Sequence, residues 1–149
     1  KKEKALIDDL FKTMYKANGI GLAAIQVAVP KRIVVVDISN KNEKKDPICL
    51  INPKIIKKSQ KFSTYEEGCL SLPDTFIEID RPSTCDVEYL DYDGKKKIMH
   101  CEGLLSTCIQ HEIGHCDGEL IIDFISKLKK DLIIKKLSRL KKNSDKIIV

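Results

Sequence analysis

The most constraining stretch of this 149-residue sequence is His111-Glu112-Ile113-Gly114-His115. Leu104, Cys108, His111 and His115 recur at steps of four, three and four, which predicts a helix from about Gly103 to Gly118 with these four on one face. Two imidazoles four positions apart on a helix can hold one cation, and the Glu112 carboxylate leans toward the same ion. The competing reading is a chance match, with histidines that are simply solvated or satisfied in a core.

A catalytic metal needs a third protein ligand and an open position for water. No histidine follows His115, and Asp117 and Glu119 lie too close along the chain to wrap round easily. An upstream donor is expected. Cys69 is the candidate, in the Gly- and Pro-punctuated run Glu66-Glu67-Gly68-Cys69-Leu70-Ser71-Leu72-Pro73, read as an irregular loop of the kind that positions a ligand. The other five cysteines read as buried, inert thiols.

Around this centre the pattern predicts a helix over Leu6 to Ala17, ended by Asn18-Gly19, and irregular backbone from Gly19 to Val29. Arg32 to Ile38 and Ile48 to Ile51 are β-branched runs read as strands, joined by a loop from Ser39 to Asp46. Ile77 and Ile79, then Cys85, Val87 and Tyr89, alternate as strands do, and Asp93-Gly94 supplies the turn of a hairpin returning through Ile98. Phe124 to about Leu140 carries Leu128, Leu132, Ile133, Leu137 and Leu140 against a lysine-rich face. The expectation is one α+β domain spanning residues 1–149. Mostly antiparallel sheets would pack around the central HExxH helix, with an N-terminal and a C-terminal helix.

Composition removes several classes. The net charge of +5 comes from 24 Lys and 3 Arg against 22 acidic residues, without the Arg-rich, aromatic-interleaved stretches of base readout, so no sequence-specific nucleic-acid binding is expected. Six scattered cysteines in a chain of this size fit reduced thiols better than a disulfide framework. No apolar run is long enough to span a bilayer, and the start does not look like a signal peptide. No membrane association is expected.

Three segments resemble the motifs of the peptide deformylase family, in the family's order. Gly19-Ile20-Gly21-Leu22-Ala23-Ala24-Ile25-Gln26 is similar to G-Φ-G-Φ-A-A-x-Q, where Φ is apolar. Glu67-Gly68-Cys69-Leu70-Ser71 is similar to E-G-C-Φ-S, and Gln110-His111-Glu112-Ile113-Gly114-His115 to Q-H-E-Φ-D-H. The resemblance runs over nearly the whole chain and implies a further segment ahead of the first helix that this sequence does not include.

The resemblance implies a metal-dependent hydrolase that removes the formyl group from N-formylmethionine of nascent polypeptides. Cys69, His111 and His115 would hold one divalent ion, Fe²⁺ by the family's habit, although the donor set also suits Zn²⁺, Ni²⁺ or Co²⁺. Glu112 would move the proton, while the Gln26 amide and the Leu70 N–H would donate to the developing oxyanion. Ile20, Tyr65, Leu104 and Cys108 would receive the methionine side chain. Gly19 and Gly21 would allow close approach of substrate backbone, and Gly68 belongs to the metal loop that a Glu67–Arg81 ion pair would brace. The family's setting implies a bacterial cytoplasm or a bacterium-derived organelle. Because the substrates emerge from ribosomes, it also suggests ribosome contact through Lys129, Lys130, Lys135, Lys136, Arg139 and Lys142.

One position departs from the pattern: Gly114 stands where the family motif has Asp. That departure motivates an alternative, an impaired or non-catalytic homologue that binds metal or formylated N-termini. A general zinc metalloprotease is the other.

Overall fold

The computed structural model describes residues 2–39 and 42–148, with side-chain environments through residue 139. Helix α1, Lys2–Lys16, buries Ile7, Leu10 and Met14. Ala17, expected at its end, lies just beyond the helix and is exposed. Strand β1, Gly21–Ala23, runs into a 3₁₀ turn, Ala24–Val27. Irregular backbone was the expectation for this segment. Instead of staying irregular, β1 adds to the sheet edge by pairing with β2, Ile33–Val36.

β2 explains the sheet's role. Its four residues are all buried because the two faces pack on different helices. Ile33 and Val35 join Ile7, Leu10 and Met14 of α1, while Val34 and Val36 join the second cluster with Leu50, Val87, Ile109 and Ile113. A strand covered on both faces reads as a continuous apolar run, which is how Ile33-Val34-Val35-Val36 appears in the sequence.

β3, Ile48–Lys58, extends well past the expected end at Ile51. Asn52 takes φ +51 and the pairing with β6 shifts register between Ile51 and Lys54, so Asn52-Pro53 forms a bulge rather than a stop. β6, Thr84–Leu90, and β7, Lys96–Glu102, form the expected hairpin. Its turn has Gly94 at φ +81, with the Asp91 carboxylate accepting from the Asp93 and Lys95 N–H groups. The sheet order is β1-β2-β3-β6-β7, antiparallel at each pairing.

Between β3 and β6 in sequence, β4 (Phe62–Cys69) and β5 (Leu72–Pro82) form a separate two-stranded sheet. The run around Cys69, expected as an irregular loop, is therefore the tip of a hairpin. Helix α2, Gly103–Cys116, is buried from Ser106 to His115. It ends where expected, with Gly118 at φ +83 and the Glu119 N–H returning to the Gly114 carbonyl at 2.8 Å. A 3₁₀ turn, Ile121–Phe124, leads to helix α3, Lys127–Ile148. Along α3, Leu128 and Leu132 are exposed while Ile133 and Leu137 are half-buried. The side chains of Leu140 and Lys142 lie outside the described residues. Among the described residues, no helix is long and apolar enough to cross a membrane. The α+β architecture of antiparallel sheets around the HExxH helix, flanked by terminal helices, is the one expected.

Candidate metal centre

α2 is anchored by polar contacts as well as by its apolar side. Gln110 Nε2 donates to the Pro82 carbonyl and to Ser106 Oγ, both at 2.9 Å, and Ser106 Oγ donates to the same carbonyl at 3.2 Å. These bonds tie the helix to the end of β5 and satisfy side chains that burial would otherwise penalise. The histidine face is thereby fixed against the β4–β5 hairpin.

The hairpin tip delivers Cys69 to that face. Cys69 Sγ lies 3.2 Å from His115 Nε2, which lies 3.0 Å from His111 Nε2. One donor atom from each of Cys69, His111 and His115 falls within 4.8 Å of the others, and the group could hold a metal ion. His111 is further fixed by Glu67, whose Oε1 is 2.8 Å from Nδ1. The same carboxylate accepts from Arg81 Nε at 2.8 Å and Nη2 at 3.0 Å, in a buried two-pronged ion pair. With Nδ1 engaged by a carboxylate, Nε2 is the nitrogen that His111 presents to the cluster.

The electrostatics follow from this crowding. Burial alone would push the Cys69 thiol up, but hydrogen bonds from His111, His115 and the Ser71 N–H outweigh it and bring it to about 5. Burial pulls His111 down, and the Cys69 and Glu67 partners with the nearby Glu112 charge reverse that, raising it to about 9. For Glu67 burial is again the largest influence, overcome by His111 and Arg81, so its carboxyl sits below the usual range. Glu112 goes the other way: burial raises it to about 7 against the pull of the two histidines. Its Oε1 is 3.7 Å from His111 Nε2, and its Oε2 is buried with no hydrogen-bond partner among the described residues.

These features fit a divalent cation. A thiolate and two imidazoles converging at hydrogen-bond range are the donors that thiophilic divalent metals take, and the thiolate form is already favoured near neutrality. The orphaned Glu112 oxygen beside them is an acceptor waiting for a proton or a water, as a hydrolytic site needs.

A cavity of about 610 Å³ opens onto the cluster. Gly19, Ile20, Gly21, Tyr65, Glu67, Gly68, Cys69, Leu70, Leu104, Cys108, His111 and Glu112 line it, which gathers most of the residues expected at the site. Gln26 stands beside it: Oε1 accepts from the Ala23 N–H at 2.9 Å, and Nε2 donates to Ser71 Oγ at 2.9 Å and Cys69 Sγ at 3.3 Å. Gly21 serves the protein's own packing. A Cβ there would stand 2.9 Å from both Cys108 Sγ and Glu112 Cγ, so its bare backbone is what lets β1 close on α2. At Gly19 a Cβ would meet the Leu70 side chain at 3.0 Å, across the cavity mouth.

Residues that sequence reasoning missed also stand here. Ser71 links Gln26 to the hairpin tip. Phe76 lines the cavity and packs against Gly68, where a Cβ would come within 2.7 Å of the ring. Phe124 covers Arg81, with the guanidinium carbon 4.7 Å from the ring centroid. The presence of Ser71 and Gly68 inside a recognised motif was the available signal for two of these contacts; Phe124 carried none. At Gly114, a Cβ would sit 3.0 Å from Glu119 Oε2, so a carboxylate from the turn after α2 occupies space next to the missing Asp side chain.

The chain as a whole is similar to known proteins. The polypeptide deformylase family model matches residues 1–131. The peptide deformylase of Pelagibacter ubique is 60% identical over 141 residues, 95% of this chain and 82% of that protein. The crystal structure of peptide deformylase from Ehrlichia chaffeensis superposes with a TM-score of 0.90 at 40% identity, covering 95% of this chain and 84% of the other. The Ehrlichia chaffeensis enzyme in complex with actinonin gives 0.86 at 43% identity, covering 91% and 81%. A general zinc metalloprotease and a non-catalytic homologue give way to this match, and the chain belongs to the polypeptide deformylase family.

Proposed function

We propose that residues 1–149 form one catalytic domain that hydrolyses the formamide bond of N-formylmethionyl peptides, releasing formate and a free N-terminus. The observation that carries the residue assignment is the convergence of Cys69, His111 and His115 beside the buried, unpartnered Glu112 oxygen. Cys69, His111 and His115 would hold the divalent ion, Fe²⁺ by family habit. When bound, that ion supplies Lewis acidity, which acidifies water and polarises a carbonyl.

The chain's own groups do the rest. Glu112, poised near 7 by burial, takes the proton of the attacking water at its carboxylate and returns it to the departing amine nitrogen. Attack forms the new C–O bond, and collapse of the resulting oxyanion breaks the C–N bond; one water proton reaches the amine through Glu112, and the other is lost as formic acid ionises to formate. Negative charge on the formyl oxygen calls for fixed donors. Gln26 Nε2, which lies 3.3 Å from Cys69 Sγ, is one, exchanging its bond to Ser71 for one to substrate. The Leu70 N–H at the hairpin tip is the other. Ile20, Tyr65, Leu104 and Cys108 form the apolar wall for the methionine side chain.

The exposed basic residues of α3, Lys129, Lys135, Lys136 and Arg139, with the half-buried Lys130, support contact with ribosomal RNA near the emerging chain. Co-sedimentation with ribosomes should then weaken between about 0.05 M and 0.3 M salt. The relatives' bacterial sources support a bacterial cytoplasm as the compartment.

Formate release from a formyl-Met peptide tests the central reading. The metal-loaded chain should turn over the formylated peptide and leave an unformylated one intact. Glu112→Gln should lose at least about 100-fold in turnover while keeping its metal, and Cys69→Ala should lose the metal itself. Metal retention by Cys69→Ala would overturn the ligand assignment, and undiminished turnover by Glu112→Gln would overturn the proton carrier.

A further inference from the structure

Phe124 belongs to none of the recognised motifs, yet it sits at the back of the metal centre. It closes the 3₁₀ turn Ile121–Phe124, where Asp123 Oδ2 accepts from the Leu120 N–H at 2.8 Å and Asp123 Oδ1 from Lys130 Nζ at 2.9 Å. That capped turn fixes where the chain leaves Ile121 and Ile122, both buried. From there the Phe124 ring lies over the Arg81 guanidinium, 4.7 Å from its carbon. Arg81 in turn gives Nε and Nη2 to Glu67, and Glu67 holds His111 Nδ1. Four side chains from four different elements thus stand in series, ending on a nitrogen ring that faces the cation site.

We propose that Phe124 is a positioning residue of the metal centre, acting through Arg81 and Glu67 on His111. Its ring covers one face of the guanidinium by cation–π attraction and keeps water from competing for the fork that grips Glu67. Glu67 is then held in the single orientation that aligns with His111 Nδ1. Phe124 itself is 46% exposed, so a purely core-filling role would be a poor use of a ring at this position. This inference rests on the metal-site reading above.

The test uses the metal-free full chain titrated with Co²⁺ against a competing chelator, for the natural sequence and for Phe124→Tyr, Phe124→Leu and Phe124→Ala. Tyr keeps the π face and should bind Co²⁺ as the natural chain does. Leu keeps apolar volume without the π face and should weaken binding by about 10-fold, with Ala at least as weak. In the metal-free protein, exchange of the His111 Nδ1–H followed by ¹⁵N NMR should be slow in the natural chain and in Phe124→Tyr and faster in Phe124→Leu. Should Ala fail to fold, Leu carries the comparison. Leu matching the natural chain in both measurements would overturn the proposal. A natural chain that takes up no Co²⁺ would remove the metal centre instead, and the His111 exchange rates would still decide whether Phe124 holds the relay.

Discussion

Glu67 and His111 share a buried hydrogen bond of 2.8 Å between a carboxylate oxygen and Nδ1, with Arg81 on the carboxylate's other side. The pair joins a strand of the small sheet to the central helix. In Glu67→Gln the amide keeps the shape but must turn an N–H₂ toward either Arg81 or His111, and Arg81 stays buried beside a neutral partner. The expected results are a loss of about 10-fold to 100-fold in metal affinity and a destabilisation of about 3 kcal/mol or more. Chelator competition and urea unfolding measure the two; an unchanged metal affinity would show that His111 is oriented by the helix alone.

Gly21→Ala should be far more costly than its single methyl suggests. The new Cβ would be driven to 2.9 Å from Glu112 Cγ and from Cys108 Sγ, both on a buried helix face. Overpacking of this kind costs about 1–3 kcal/mol. Because one of the displaced atoms belongs to Glu112, the proposed proton carrier, formate release should fall by more than the loss of folded protein explains. Full turnover per folded molecule would mean that Glu112 tolerates the shift.

Gly114→Ala is expected to stabilise the chain. The residue lies inside α2, where Gly costs about 1 kcal/mol relative to Ala. The tight neighbour is Glu119 Oε2 at 3.0 Å, the free end of an exposed side chain that can swing away. Gly114→Asp should gain less, because its carboxylate would face that of Glu119, and the double change with Glu119→Gln should recover the difference. Thermal unfolding of the three variants orders them. If Ala lowers the melting temperature, the turn after α2 is more rigid than its exposure implies.

Away from the site, Tyr15 donates to Asp37 at 2.5 Å, joining α1 to the end of β2, and Asp37 also accepts from Ser39 N, Ser39 Oγ and Asp46 N. Burial raises the Asp37 carboxyl, but the Ser39, Tyr15 and Asp46 bonds outweigh it and hold it below the ordinary carboxylate range. Burial and the Asp37 partner push Tyr15 up to about 12. A carboxyl with a depressed folded value stabilises above its unfolded pKa, and that contribution is lost as acid protonates it in the fold. The raised phenol stabilises below its unfolded pKa of about 10, and its share disappears as pH climbs toward its folded value. Tyr15→Phe should therefore cost about 1.5 kcal/mol near neutrality, with a smaller penalty once acid protonates Asp37 in the fold and a flatter alkaline limb of the stability curve. Urea midpoints across pH read this directly; a penalty independent of pH would assign the effect to packing.

The central helix and the cysteine-to-histidine convergence were legible because both rest on local signals, a 3.6-residue period and short chemically specific motifs. β2 was legible for the same reason, since burial on two faces leaves an unbroken β-branched run. β4 was not. Phe62 to Cys69 contains few apolar side chains, and what makes it a strand is its pairing with β5 and the buried bond from Arg81, fourteen residues on, to Glu67. Likewise Asn52-Pro53 carries the composition of a strand end, and only the pairing of β3 with β6 turns it into a bulge. Phe124 was invisible because its use depends on Arg81 arriving beneath it, which no spacing along the chain encodes.

The sulfur and the imidazoles reach one another from opposite sides of a seam: Cys69 rides on the two-stranded sheet, and His111 and His115 on the helix backed by the five-stranded one. A cation bridging them would act as a rivet, adding to the Glu67–His111 bond and the Gln110 and Ser106 bonds to the Pro82 carbonyl that already join the small sheet to the helix. Stripping it should loosen the small sheet first, raising amide exchange along Phe62–Pro82 while the amides of β2 and α2 stay protected. Enzyme left without metal would then present a partly detached flap rather than an empty but intact pocket, and reloading would depend on that flap settling back.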